Sequence, residues 1–359
     1  MTQNQLHAEP EATLTKDEVY KLMEESGNLK FLEHVNLSNV DKRTEASPAY
    51  IFYIRGLLCA LDPRLSYHFW ANFGRNQFHL FTGQAKNEKI RATIVLYVPD
   101  LDQVEQSLGS IQAELQGTEF SLERVNRGGA TTIDYPREKW HDLFEFNDYD
   151  HIKTTDPYGN TFRLFVTPRH YWSIYKSLGG LVPGSADGSD GVAQGLPFLS
   201  YPVRPGIAQG ISRFFEHYIG AKTTVVEKSD GLFRTSVWAG PIQSIVFDEL
   251  ESERDNKGEY DGHHVCFHID RFKEKFDLAA NEAMNWNNTL FFDRCDTWEE
   301  ANRDQQYRIL HLIDPVDKSF LMSFEMEIRS AQHFRYLIHR NDISEEEEAK
   351  NEELRKKNL

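Results

Sequence analysis

A strand, helix, strand order recurs four times in this chain, twice on each side of a central Gly/Ser/Pro-rich run, SLGGLVPGSADGSDGVAQGLP. A recurring unit of this kind cannot bury its own apolar face and must pack on another copy, so the repeat constrains the fold more than any single motif does. In the first module FLEHVNLSNVD alternates with period two, Val35 and Leu37 facing one way and His34, Asn36 and Ser38 the other. The helix TEASPAYIFYIRGLLCAL follows, with Ser47 as N-cap before Pro48, and then the strands YHFWANFG and NQFHLF. The second module runs through ATIVLYVPD, the helix LDQVEQSLGSIQAEL and closing strands with the turn DPYGN. PFLSYPVRPG, GIAQGISRFFEHYIGA and SVWAGPIQSIVFDEL form the third module; HHVCFHID, DRFKEKFDLAANEAMNW and RILHLIDPVDKSFLMSFEMEIRS form the fourth. Two alignments support the repeat: NQFHLF with IQSIVF through Gln77 and Gln243, and DPYGNTFRLF with DPVDKSFLMS through the Asp-Pro turn.

The sequence predicts a polar segment or helix over residues 1–28, a two-module domain over 29–172, a linker over 173–196, a second two-module domain over 197–332 and a charged tail over 333–359. In the first segment, the spacing of Val19, Leu22 and Met23 predicts a packed helical face. With 40% hydrophobic and 27% charged residues, the chain can bury a real core. A net charge of −16 repels phosphate backbones, so nucleic acid is not an expected partner. No stretch approaches the ~20 apolar residues of a membrane span and no signal-like start is present. The three cysteines, Cys59, Cys266 and Cys295, lack metal-type spacing and fit a reducing, cytoplasmic setting. No G-x-S-x-G elbow, Walker A loop, G-x-G-x-x-G after a strand or H-E-x-x-H helix occurs.

On the HVNL and GRNQFHLF strands, the VPDLDQVEQSL join, the DPYGN turn and the HHVCFHID and EMEIRS strands, the chain from Phe31 to Arg329 resembles the vicinal oxygen chelate superfamily, which includes glyoxalases, bleomycin-resistance proteins and extradiol dioxygenases. The resemblance implies an α+β fold of four βαβββ modules paired into two cupped barrels. Many members hold a divalent metal with His and Glu side chains from the first and last strands of each module, so Fe2+, Mn2+, Zn2+ or Ni2+ is the implied cofactor. The positions that match are His34 and His79 in the first half, and His264 and Glu325 in the second. Where the family pattern DPxGNxxE places a carboxylate, this chain has Arg163, and Thr93 stands at the strand-one position of the same module. Arg163, with Gln77, Asn36 and Tyr97, is therefore expected to bind an anionic substrate group beside His34 and His79 in the first cup. In the second half His264, Cys266 and His268 share one strand face, and Ser323, Glu325 and Glu327 share another; Gln243 or His311 is expected near a His264 and Glu325 ion. His264 and His268 stand ~13 Å apart along a strand and cannot share one ion. The third module has no histidine on its first strand, PFLSYPVRPG, so the iron-binding triad of the four-module dioxygenases is incomplete there.

Three readings remain open at this point. One is a metal-assisted isomerase, lyase or dioxygenase acting on a small oxygen-rich or aromatic substrate; another is a non-catalytic protein that sequesters a small, anionic organic ligand. The third is a homodimer in which one half of the chain serves as the dimerisation scaffold while the other binds ligand. Fold alone does not choose among them.

Overall fold

The computed structural model describes residues 15–38, 44–62, 69–81, 89–130, 146–168, 171, 174, 193–291 and 293–333. The charged tail beyond residue 333, residues 1–14 and most of the Gly/Ser/Pro-rich linker lie outside these.

Two curled sheets, of seven and eight strands, organise the chain. The first module contributes β1 (Leu29–Ser38), β2 (Ala60–Leu61), β3 (Phe69–Phe73) and β4 (Asn76–Phe81). From the second come β5 (Thr93–Val98), β6 (Ser121–Val125), β7 (His151–Thr155) and β8 (Thr161–Val166). The third supplies β9 (Gly195–Val203), β10 (Thr223–Glu227), β11 (Phe233–Ala239) and β12 (Gln243–Glu249). The fourth has β13 (His264–Ile269), β14 (Gln306–Ile313) and β15 (Phe320–Ser330); an isolated bridge between Asn285 and Ile309 lies beside β14 on the connection from β13. Each module carries its helical segment between its first two elements, and an additional helix, Trp298–Asp304, precedes β14. The architecture is the expected α+β arrangement of four modules in two cups.

The modules pair differently from the sequence expectation. Residues 29–172 and 197–332 do not form separate two-module units: β1 pairs antiparallel with β13, and β5 pairs antiparallel with β9. The seven-stranded sheet, in order β14-β15-β13-β1-β4-β3-β2, therefore joins the first and fourth modules. The eight-stranded sheet, β10-β11-β12-β9-β5-β8-β7-β6, joins the second and third. The in-facing side chains supply the physical reason. β1 presents Glu33, which is buried and bonded to Arg329 and His268 of the fourth module. The concave side of β5 and β8 offers Val95, Tyr97 and Phe165 with one cation, Arg163, which is bonded to His151, whereas the fourth module meets the Glu33 carboxylate with both Arg329 and His268.

Buried amides stitch the two sheets together at the start of equivalent strands. Asn76 donates to the Leu32 carbonyl at 2.7 Å and accepts from the Leu196 amide at 3.1 Å. Gln243 accepts from the Leu32 amide at 3.1 Å and donates to the Leu32 and Leu196 carbonyls. Asn76, not Gln77, is thus the counterpart of Gln243. The ungapped alignment fails because the β3–β4 turn has two residues (Phe73 pairs with Asn76) and the β11–β12 turn has three (Ala239 pairs with Gln243). The longer turn needs Gly240, whose φ is 66° and whose missing Cβ would stand 2.3 Å from the Lys30 carbonyl oxygen.

Helical segments cover the convex faces, where Leu32, Val35, Leu37, Phe52, Phe78, Ile94, Leu96, Phe162 and Ile245 join one core cluster. The Ser47 cap forms as expected: its hydroxyl accepts from the Tyr50 amide at 3.2 Å, ahead of the π-helical turn Tyr50–Gly56. Replacing Ser47 by Ala should cost about 1 kcal/mol in urea unfolding, the usual loss for an N-cap; a change below measurement error would show that the turn is held by packing alone. The N-terminal helix Lys16–Glu25 is closed by a Thr15 and Glu18 capping box. Its Val19, Leu22 and Met23 pack as their spacing predicts, in the cluster that includes Val95, Tyr97, Phe165 and Phe198.

Candidate functional site

Cross-strand register sets the polar residues of the seven-stranded cup in rows. One row runs Asn72, Gln77, His34, Cys266, Glu327, Arg308 across β3, β4, β1, β13, β15 and β14. Beside it lies Trp70, His79, Asn36, His264, Glu325. A third begins with Phe31, His268 and Arg329, and Gln306 continues it onto β14. Because side chains alternate across a strand, residues two apart stay on one face, so all three rows look into the cup. The pairing of the first and fourth modules brings His34, His79, His264 and Glu325, expected in two separate cups, into one. The His34 and His264 ring centroids are 5.6 Å apart.

Sequence periodicity did not place Glu33 here, because strict alternation turns it away from His34. The register between β1 and β13 shifts between Leu32 and His34, and an extra residue of this kind lets two successive side chains share a face. Glu33 then accepts from Arg329 Nη1 at 2.5 Å, pairs with His268 Nε2 at 3.1 Å and receives the Cys266 thiol at 3.5 Å. Arg308 was also missed, although a charged residue within the apolar run YRILHLI was a usable signal. Its guanidinium donates to Glu325 at 2.8 Å, to Glu327 at 2.5 Å and to Asp293 at 2.8 Å. Arg329 closes the network on Glu327. Arg308 and Arg329 hold the Glu327 carboxyl well below the usual range against the opposing effect of its burial; Glu33 is held low by Arg329 with help from His268. Glu325 also accepts from Tyr260 and, at 3.0 Å, from Asn288.

The histidines differ in state. His34 is fully buried, and desolvation pushes it down to about 4, so it is neutral. Neither of its ring nitrogens makes a hydrogen bond of normal geometry; the nearest carboxylate oxygen, on Glu33, is 3.5 Å from Nδ1. His79 stacks on His34 with centroids 3.6 Å apart and on Trp70 at 3.9 Å. Gln77 donates to Asp62 and Asn72, which turns its carbonyl oxygen toward His79 Nε2 at 3.1 Å. That nitrogen therefore carries the proton and is not a metal donor. His264 sits between two carboxylates, 3.7 Å from Glu325 and 3.4 Å from Glu327. His268 takes Glu33 and the Ser330 carbonyl, different partners from those of His264.

Among the described residues, two groups bring three ligand atoms within 4.8 Å of one another: His34 with Cys266 and Glu327, and Glu33 with Cys266 and His268. The first lies along a single row. His79, His264 and Glu325 join neither group; they surround the first, and the oxygens of Glu325 are taken by Tyr260, Asn288 and Arg308. Two further expectations are corrected. His311 is exposed and pairs with Ser323 at 3.2 Å, because β14 turns this side chain away from the cup. Gln243 spends its amide on the backbone of Leu32 and Leu196.

Arg163 is not beside His34, His79 and Gln77. It lies on β8 in the other sheet, in register with Val95 and Lys153. Tyr97 is in that cup too, packed edge-on against Tyr171 at 4.6 Å. Asn36 and Gln77 belong to the seven-stranded cup, so the four residues expected to bind substrate together divide two and two.

Four modules whose first strands pair two by two, with rows of His and Glu in one cup, make an α+β protein of two cupped sheets. Comparison with solved structures finds a putative dioxygenase from Bacillus subtilis, 12% identical with a TM-score of 0.47, over 92% of this chain and 97% of that one. Glyoxalase I from Zea mays is 12% identical with a TM-score of 0.49, over 86% and 95%. A 2,3-dioxygenase from Pseudomonas is 13% identical with a TM-score of 0.27, over 85% and 93%. No family model matches the chain, and no curated protein matches it. No helix among the described residues is long and apolar enough to cross a membrane.

Proposed function

We propose that the seven-stranded cup is a divalent-metal site of an enzyme acting on a small oxygen-rich or aromatic substrate, by isomerase, lyase or dioxygenase chemistry. The observation that carries this reading is the row of His34, Cys266 and Glu327, whose ligand atoms converge although they come from opposite ends of the chain. A neutral imidazole with unsatisfied nitrogens and a sulfur suit a borderline transition ion, and the third donor, Glu327, would share its carboxylate between the ion and the guanidiniums of Arg308 and Arg329 that already hold it. Cys266 is the resisting member, since burial pushes its thiol up. Ion uptake at this row would therefore release a proton.

A bound ion would supply Lewis-acid polarisation of adjacent substrate oxygens. The chain's own residues supply the rest. Trp70 and Asn36, 9% and 7% exposed, mark the mouth, whereas His34 and Cys266 are at 0%. Substrate thus approaches over the Trp70, His79, Asn36 and His264 row. Asn36 offers an amide to a substrate oxygen, and Trp70 an aromatic face already stacked on His79. His264, between Glu325 and Glu327, is placed to pass a proton between substrate and carboxylate.

Elemental analysis of protein purified without chelator tests the reading. About one divalent ion per chain is expected, falling to background in His34→Ala and Glu327→Gln while His268→Ala, from the other cluster, retains it. Stripped protein that takes up none of Fe2+, Mn2+, Zn2+ or Ni2+ would remove the enzyme reading and leave ligand sequestration as the function of the fold.

A further inference from the structure

The eight-stranded cup has a different chemistry. The rows that hold His34 and Cys266 in the first cup are occupied here by Val95 and Phe198, which face each other across β5 and β9. Arg163 extends this row on β8. Its guanidinium is half-buried, yet no carboxylate of the described residues lies within ion-pair distance. Its two partners are uncharged: Nη1 donates to His151 Nε2, and the guanidinium carbon stands 5.2 Å over the Phe146 ring. His151 donates from Nδ1 to the Tyr149 carbonyl at 2.9 Å, which fixes Nε2 as the acceptor and the ring as neutral. The carboxylate nearest in register, Glu123, lies two strands away and is 3.9 Å from Lys153, which stands between it and Arg163. A half-buried guanidinium that no carboxylate of the described residues pairs with directly, and whose pKa burial lowers despite the more distant Glu123, is costly, and an anion on its fork would relieve that cost.

The surroundings describe what else that anion carries. Phe146 stacks near-parallel on Phe165 and Phe198, at 6.2 and 6.0 Å and interplanar angles of 20° and 21°, and His151 stacks on Phe165 at 4.8 Å. Phe165 and Phe198 are buried in this stack, and Phe146, half-buried at its edge beneath the Arg163 guanidinium, gives the site its aromatic character, which favours a flat unsaturated body. The next row, Thr161, Thr93 and Ser200, is half-buried and supplies neutral hydroxyls but no second charge. We infer that the eight-stranded cup is a second ligand site, separate from the metal row, which binds a planar aromatic monoanion with its carboxylate on Arg163 and its ring beside Phe146 at the edge of the Phe165 and Phe198 stack.

Titration calorimetry of the full chain with 2-naphthoate and its neutral isostere 2-naphthamide tests this. Saturable naphthoate binding is expected, with the amide at least tenfold weaker. Arg163→Met should weaken naphthoate by roughly ten- to a hundredfold, the effect of one charge-assisted bond, and leave the amide unchanged; Arg163→Lys should fall between. Circular dichroism confirms that each variant is folded. His34→Ala, in the other cup, should leave naphthoate affinity unaltered. Equal affinities for acid and amide, an unaffected Arg163→Met variant, no saturable binding at millimolar naphthoate, or loss of binding in His34→Ala would each overturn the assignment.

Discussion

Replacing Arg308 by Met in metal-free protein should destabilise the chain by about 3–5 kcal/mol, the range seen when one partner of a buried ion pair is removed. Arg308 is 2% exposed and satisfies three carboxylates at once, those of Glu325, Glu327 and Asp293. Deleting its charge leaves Glu325 and Glu327, 1% and 3% exposed, with Arg329 as the remaining guanidinium bonded to either. The methionine fills much of the volume, so the loss reads out charge rather than a cavity. Two further variants separate the contributions. Arg308→Lys keeps the charge but not the planar fork that reaches Glu325 and Glu327 together, and should lie between wild type and Met. Arg308→Met combined with Glu325→Gln should recover part of the loss, because one uncompensated carboxylate disappears. A urea midpoint for Arg308→Met that implies less than about 1 kcal/mol would mean that water or rearranged side chains already neutralise these carboxylates.

The same network shows which parts of the molecule could be read from the sequence. Strand faces were legible wherever period-two alternation held, which is why His34, His79, His264, Cys266, His268, Glu325 and Glu327 were all assigned to cup interiors. The Ser47 cap and the packed face of the N-terminal helix followed from local spacing in the same way. Pairing was not legible, because alternation describes one strand and says nothing about its neighbour. The sequential choice, first module with second, set Arg163 beside His34. The actual choice sets acid against base across β1 and β13, and apolar against apolar across β5 and β9. Reading the in-facing residues of all four first strands for mutual compatibility would have favoured it: β13 sets His268 and Cys266 against the Glu33 and His34 end of β1, whereas β5 carries Val95 and Tyr97 there. Two one-residue irregularities were beyond pattern reading altogether. The shift near Glu33 and the extra residue in the Gly240 turn each change the count by one without altering composition.

Acid should expose the state of His34. Burial lowers its pKa from 6.5 to about 4, so the unfolded chain binds a proton in this interval while the folded chain does not. Stability therefore rises with pH across the window and is lost as pH falls from 6.5 toward 4. At ~1.4 kcal/mol per pH unit, the contribution of this one group between pH 7 and pH 4 is about 3 kcal/mol. His151, lowered mainly by burial, acts in the same direction, so the effect must be isolated by difference. Urea unfolding of chelator-treated wild type and His34→Gln, measured at half-unit steps, supplies it: the wild-type curve should fall more steeply between pH 6.5 and pH 4, and the two should run parallel above pH 7. Glu33 and Glu327, held low by Arg329, and by Arg308 as well for Glu327, begin to add their own loss below about pH 5, where the unfolded carboxyls take up protons, and this loss is shared by both proteins in the difference. Parallel curves through the whole range would show that His34 titrates in the fold as it does in the unfolded chain, and a wild-type curve that falls relative to His34→Gln as pH rises above 6.5 would show it held protonated. In that last case the ring nitrogens at the centre of the row would be proton donors to Glu33 rather than open positions for an ion, and the metal reading would lose its strongest donor.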